Sequence, residues 1–522
     1  MKTLSILILS IFAMLTISGC DGQKTASESL TVISGSELKD MEPLLGDIES
    51  KTGIKLQMNY SGTLDGAEKL IAGEPTDLAW FSHGKYIALV QGDKNRILAQ
   101  EKIMLSPVVL GVKTSVAKEW GWVGNPNVTW RDIAKKAANG ELRYAMADPA
   151  SSNSGFTALV GVATALSGSS DALSVKDIDQ AQLSSFFKGQ QLSAGSSGWL
   201  VDAFVKEQAQ LNGIINYESV LMALNRDKRL DDRLVLIYPK EGIITADYPL
   251  MLINGEKREA YNKLVAYLTS PEFQQKMMEQ TLRRPVIPQV KLSAEFATPL
   301  LVELAFPNDL AAIEKLLFAY QDKHRRTSHA FFVLDVSGSM GGATGRIQSL
   351  KSALKNLTGQ DLTLSGRFTR FRSRETLTFI PFDNQVYPSK TFTINDSGSQ
   401  SADMQAVRQY IDSLQPNGGT AIYQALQGAY RMATEARRKE PDRFYSIVLM
   451  TDGANGSGIS EEGFAQYIAS LPVQDQGIKT FTILFGEANQ DAMKQLADIT
   501  GGSTFDGRNA LGQAFKAIRG YQ

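Results

Sequence analysis

The chain has 522 residues, 43% apolar and 21% charged, an ordinary globular composition whose length implies about two or three domains. Lys and Arg total 54 against 55 Asp and Glu, so no basic excess drives binding to nucleic acid. Three histidines and one cysteine argue against a Cys/His zinc site.

The first 20 residues read MKTLSILILSIFAMLTISGC. Lys2 precedes an apolar run, Leu4 to Ile17, shorter than the about 17–25 residues of a membrane span. Residues 1–19 therefore have the shape of a secretory signal. The run ends in Ile17-Ser18-Gly19-Cys20, which resembles the lipobox of bacterial lipoproteins. That resemblance implies cleavage before Cys20 and lipidation of its thiol and the new N-terminus, several acyl chains being a firm anchor. Residues 20–29 are polar after the cysteine and are expected to form a tether. The expected location is the cell envelope, outside the cytoplasm and lipid-anchored. In a Gram-negative cell Asp21 resembles the signal for retention at the periplasmic face of the inner membrane.

From residue 30 to 326 short apolar runs alternate with helical patterns. Leu30–Ile33, Lys55–Tyr60 and Asp77–Trp80 read as strands, with helical spacing over Glu37–Lys51 and Leu64–Ala72. This rhythm predicts an α/β domain with a mostly parallel sheet. Three strand-to-helix connections carry small hydroxyl residues and Gly: Ser34-Gly-Ser36, Ser61-Gly-Thr63 and Ser151-Ser-Asn-Ser-Gly155. Ligands bind at such points in open α/β sheets.

The order of these pieces resembles the type 2 periplasmic solute-binding proteins. It rests on Ser61-Gly-Thr63, Asp77–Trp80, Ser106–Gly111, Asp148–Gly155, Asn216–Ser219, Tyr238–Gly242 and Ala246–Pro249. The resemblance implies two lobes on a hinge that close over a small polar solute, with Ser36, Ser61, Thr63, Ser152, Asn153, Ser154, Tyr217 and Glu218 lining the cleft. Ser, Thr and Asn are also the preferred helix N-caps, so capping and ligand contact both stay open. The acidic Glu218 and Asp247 require a positive neighbour if the solute is an oxyanion.

Leu310 to Arg326 has helical spacing after an Asn308-Asp309 start, and its closing Lys323-His324-Arg325-Arg326 suits a helix C-terminus. A second α/β domain follows over residues 328–522. Its expected strands are Ala330–Leu334, Thr376–Phe382, Phe444–Met450 and Lys479–Phe485, separated by helical stretches. Asp335-Val-Ser337-Gly-Ser339, Thr420 and Asp452 all fall at loops that converge on one sheet edge. Hydroxyl and carboxylate oxygens are hard ligands suited to Mg²⁺ or Mn²⁺.

These loops resemble the metal-ion-dependent adhesion site (MIDAS) of the von Willebrand factor A family, a doubly wound, Rossmann-like fold. The resemblance implies that Asp335, Ser337, Ser339, Thr420 and Asp452 hold the cation and that a carboxylate of a protein partner completes its shell. No Walker A loop occurs and no G-x-S-x-G elbow surrounds Ser337 or Ser339, so no enzyme activity is expected. The expected function is metal-dependent protein recognition by a membrane-anchored lipoprotein. The alternative is a solute receptor of a transport or sensing system that uses the second domain as a dock.

Overall fold

The computed structural model describes residues 27–169, 171–296, 301–508 and 511–521. The leader, Cys20 and most of the tether lie outside them. Among the described residues no helix is long and apolar enough to cross a membrane.

The first lobe is built on β1 (Glu28–Gly35), β2 (Ile54–Ser61), β3 (Leu78–Trp80) and β4 (Ala99–Lys102). The second carries β5 (Met104–Lys113), β6 (Tyr144–Met146), β7 (Gln190–Leu192), β8 (Gly213–Tyr217), β9 (Leu234–Ile237) and β10 (Thr245–Ala246). The chain returns to the first lobe through β11 (Pro249–Leu252), which gives that sheet the order β2-β1-β3-β11-β4, and β12 (Arg284–Pro285) pairs with β5 of the second. Each lobe sends a buried or half-buried helix to the cleft: α1 (Thr63–Ala72) from the first and α2 (Asn153–Ser167) from the second. Helix α2 is apolar all round and is buried along almost its whole length, as a core helix is.

Two helical expectations are corrected. Over Ser36–Thr52 the chain makes a 3-10 turn to Met41 before the helix Glu42–Thr52, whose first turn holds Pro43. The helix α3 (Leu310–Ala319) does not run to Arg326: it widens into a π turn over Tyr320–His324 and the chain is extended at Arg325. His324 is not a helix-end cation either. It stacks on Phe187 with ring centroids 5.5 Å apart, and burial holds its imidazole down to about 4.

The C-terminal domain is a six-stranded sheet, β15-β14-β13-β16-β17-β18, from β13 (Ser328–Asp335), β14 (Thr376–Phe382), β15 (Lys390–Thr393), β16 (Phe444–Thr451), β17 (Lys479–Leu484) and β18 (Thr504–Asp506). All neighbours are parallel except β14 and β15. The central β13 is buried throughout, which fits its continuous apolar run. Its helices include α4 (Arg346–Lys355), α5 (Leu364–Thr369), α6 (Ile422–Lys439) and α7 (Leu511–Arg519).

One apolar core runs from the lobes into the inner face of this sheet, where Phe332, Phe379 and Phe515 join it; the outer face, with Phe331, Ile447 and Leu449, has its own. Polar ties follow the same seam. Ser365 on α5 donates to Glu68 on α1, and Gln513 on α7 donates to Asp65. On the other lobe Ser193 donates to the Gly520 carbonyl, and Trp199 packs edge-on against Phe505. The end of the C-terminal domain thus touches both lobes.

Candidate functional site

Parallel strands deliver their C-terminal ends to one edge, and β13 and β16 lie side by side there. Asp335 ends β13 and accepts from the Ser337 backbone N–H at 2.7 Å and from Thr451 Oγ1, on β16, at 2.6 Å. Ser337 Oγ meets Ser339 Oγ at 3.0 Å, and Ser339 Oγ donates to Asp452 Oδ1 at 2.8 Å. The other Asp452 oxygen accepts from Arg346 at 2.7 Å. The Thr420 loop closes against both: the Gly418 carbonyl accepts from Gly338 N–H at 2.9 Å, and the Thr420 carbonyl from Gly456 N–H at 2.8 Å. A Cβ on Gly453, the neighbour of Asp452, would stand 3.9 Å from Thr420 Oγ1.

All five residues singled out in the sequence therefore share one edge. Asp335, Ser337 and Asp452 are buried, while Ser339 is exposed and Thr420 half-buried. Burial pushes the Asp335 carboxyl up, its bonds from Ser337 and Thr451 pull it down, and the nearby Asp452 adds to the rise. Two buried carboxylates share this edge and one guanidinium pairs with Asp452, an excess of negative charge that suits a divalent cation. The donor set, two carboxylates and three hydroxyls, is the hard-oxygen kind that Mg²⁺ and Mn²⁺ take. Among the described residues there is no group of three or more His, Cys, Asp or Glu placed to hold a metal ion.

Between the lobes the picture differs from a set of free ligand-facing side chains. Asn153 at the start of α2 donates to both oxygens of Glu37, at 2.9 and 2.8 Å. Glu37 and Arg283 are buried, and Arg283 binds the Glu37 carbonyl and, at 2.6 Å, Asp40. Burial pushes the Glu37 carboxyl up to about 7. His83 Nε2 lies 3.1 Å from Thr157 Oγ1 across the cleft, and burial holds the ring down to about 4. Asp247 has its positive neighbour in Lys102, at 3.2 Å.

Glu218 departs furthest from expectation. Both its oxygens accept from Arg284 at 2.7 Å, and it also accepts from the Tyr238 hydroxyl, so an internal ion pair claims it. Ser61 donates to Asp65 at 2.5 Å within its own lobe. Ser152 does not cap α2; its hydroxyl meets Ser154, which accepts from Ser197. Ser36 is half-buried, Tyr217 is buried, and Thr63 opens α1. Two further cavities are present, one of about 470 Å³ beside Trp199 and lined by both lysines and aspartates, among them Lys494 and Asp202, and one of about 640 Å³ beside Trp122, Leu236 and Tyr238.

Residues 30–281 match the model of the bacterial extracellular solute-binding proteins, and residues 331–516 that of the von Willebrand factor type A domain. The chain joins a solute-binding domain to a von Willebrand A domain. Both are binding modules, so the coarse role is protein interaction or solute binding. The chain is 26% identical over 187 residues to inter-alpha-trypsin inhibitor heavy chain H2 of Mus musculus, covering 35% of this chain and 18% of that protein. Heavy chain H3 of Mesocricetus auratus is 30% identical over 132 residues, 25% of this chain and 13% of that protein. The chain spans less than a fifth of these curated relatives. Among solved structures, the periplasmic binding protein AfuA from Actinobacillus pleuropneumoniae is similar at 14% identity, covering 56% of this chain and 97% of that chain with a TM-score of 0.44.

Sequence reasoning missed Arg346, Thr451 and Gly486 at the A-domain edge, and Glu37, His83 and Arg283 between the lobes. Thr451 directly precedes Asp452, which was a usable signal. Arg283 carried none, because its partner Asp40 lies 243 positions away.

Proposed function

We propose that the A domain binds a divalent cation, Mg²⁺ or Mn²⁺, at its sheet edge and through it grips a protein partner that offers an Asp or Glu carboxylate. The observation that carries this reading is the unbroken run of contacts Ser337–Ser339–Asp452, set beside the buried Asp335. Ser337, Ser339 and Thr420 would hold the ion through hydroxyl oxygens, and Asp335 and Asp452 would balance its charge. When bound, the ion supplies a strong local positive charge for a carboxylate. This chain's part is to fix the oxygens and to leave the exposed Ser339 side open to the partner. The solute-binding fold supports an extracytoplasmic site of action, and the Cys20 lipobox supports a lipid anchor to the membrane.

In this reading the solute-binding domain, residues 30–326, is a closed platform and the A domain, residues 328–522, the recognition head. Neither is assigned catalysis. A melting curve with and without Mg²⁺ tests the metal reading. A site held at about 100 times its Kd adds about 2.7 kcal/mol of stability, and Ser337→Ala or Thr420→Val should remove that gain. A gain that survives both substitutions would overturn it.

A second reading, solute binding between the lobes, is favoured by one observation. Ser34 Oγ and Arg283 Nε are buried without a hydrogen-bond partner among the described residues. A small polar solute with acceptor oxygens would satisfy them. Stabilisation by such a solute, lost in Ser34→Ala, would support this reading.

A further inference from the structure

The ion pair between Arg346 and Asp452 has a consequence for how the edge site behaves. Arg346 opens α4, the helix that follows the Asp335–Ser339 loop, and its guanidinium is 2.7 Å from Asp452 Oδ2 and 3.5 Å from Glu487 Oε1. Its seat is shaped by backbone. Gly486 has φ +54°, and a Cβ there would stand 2.8 Å from Arg346 Cζ and 2.9 Å from Asp452 Cβ. Only a residue without a side chain leaves room for the guanidinium and the carboxylate together, and glycine also tolerates the left-handed backbone. The Arg346 side chain is 19% exposed and that of Asp452 0% exposed, while Glu487 is 88% exposed. The pair is thus a seated, mostly buried one with an outer carboxylate at its rim.

We propose that Arg346 is the resident counter-charge of the edge site and sets its selectivity for a carboxylate partner. This rests on the metal reading above. With Asp335 and Asp452 ionised, the two buried carboxylates and the guanidinium sum to one negative charge, the 88% exposed Glu487 being screened by solvent. A bound divalent cation turns that into one positive charge, and a partner carboxylate then neutralises it. Without Arg346 the loaded site would be neutral and would reward an incoming carboxylate less. Arg346 therefore weakens the cation alone and strengthens the cation with its partner, because like charges in a poorly solvated site repel and opposite ones attract. In the metal-free protein the same guanidinium pairs with the buried Asp452 carboxylate.

Calorimetric titration of the full chain with Mn²⁺ tests this, using wild type, Arg346→Gln and Arg346→Lys, with and without acetate as the carboxylate probe. Arg346→Gln is expected to bind Mn²⁺ about tenfold more tightly, the size of effect one charge has a few ångströms away in a partly screened site. Arg346→Lys keeps the charge and should stay near wild type. Acetate should tighten Mn²⁺ binding more in wild type than in Arg346→Gln. In chelator-treated protein Arg346→Gln should melt lower, a readout that needs no metal. Wild-type binding with equal or weaker affinity in Arg346→Gln would overturn the counter-charge role and leave the metal reading standing. No Mn²⁺ binding by wild type or variants would overturn both.

Discussion

The side-chain amide of Asn153, in the second lobe, donates to both carboxylate oxygens of Glu37, in the first. This contact crosses the cleft and is buried. Burial pushes Glu37 up to about 7, against the opposing pull of Asn153 and Arg283 and with Asp40 adding to the rise. A carboxyl whose folded value is raised contributes stability that is complete below its unfolded value and lost as pH rises through about 7. Glu37→Gln removes that dependence. Relative to wild type it should be neutral near pH 4.5 and more stable by on the order of 3 kcal/mol above pH 7. Urea unfolding of both proteins at several pH values measures the difference and cancels the opposite trend of His83, His324 and His329, whose imidazoles desolvation holds near 4.

The cleft is closed at its rim by backbone contact. A Cβ on Gly62, the residue just before α1, would stand 2.2 Å from the Ser151 carbonyl oxygen in the other lobe. The Gly62 φ is −79°, so alanine meets no backbone strain there and acts only as a wedge. Gly62→Ala should destabilise the closed form by about 1–3 kcal/mol and enlarge the radius of gyration in small-angle scattering.

Glu218 belongs to the fold more than to a ligand. Both it and Arg284 are buried, at 0% and 3% exposure. Removing one partner strands the other charge, at a cost of about 3–5 kcal/mol. Glu218→Ala should lose that much stability with no solute present, read by chemical denaturation.

Another buried pair lies beside the seam, within the C-terminal domain. Arg519, in the last helix α7, donates to both oxygens of Glu375 at 2.6 and 2.8 Å and to the Thr369 carbonyl, while its own carbonyl accepts from Arg325 of the linker. Arg519→Met should cost about 3 kcal/mol or more and raise hydrogen exchange in α7 and over Ser193–Trp199, the segment that packs on it.

Much of this was legible in the chain. The apolar run Ala330–Leu334 announced a central strand, and Asp335, Thr420 and Asp452 fell at the C-terminal ends of strands or in the loops beside them, because parallel sheets send those ends to one edge. What was not legible depended on distant partners. Glu218 read as a cleft residue because Arg284, which claims it, lies 66 positions on. The helix from Leu310 read as continuous because its periodicity persists to Tyr320, whereas burial of Tyr320 and the stacking of His324 on Phe187 unwind its end. The guanidinium on Asp452 was hidden because an Arg at the start of a helix carries no signature of what it faces.

Asp335→Asn separates charge from shape at the edge site. Its metal-free form should be at least as stable as wild type, since burial penalises the ionised carboxyl it replaces. It should also lose the stabilisation by Mg²⁺, which melting curves with and without the ion measure.

Anomalous diffraction from crystals grown with Mn²⁺ tests the metal site most directly. The expected result is one strong peak within about 2–2.5 Å of the Ser337, Ser339 and Thr420 hydroxyls, with solvent or a neighbouring carboxylate on its open side. A peak elsewhere, or none at saturating Mn²⁺, would contradict a cation held by these five residues.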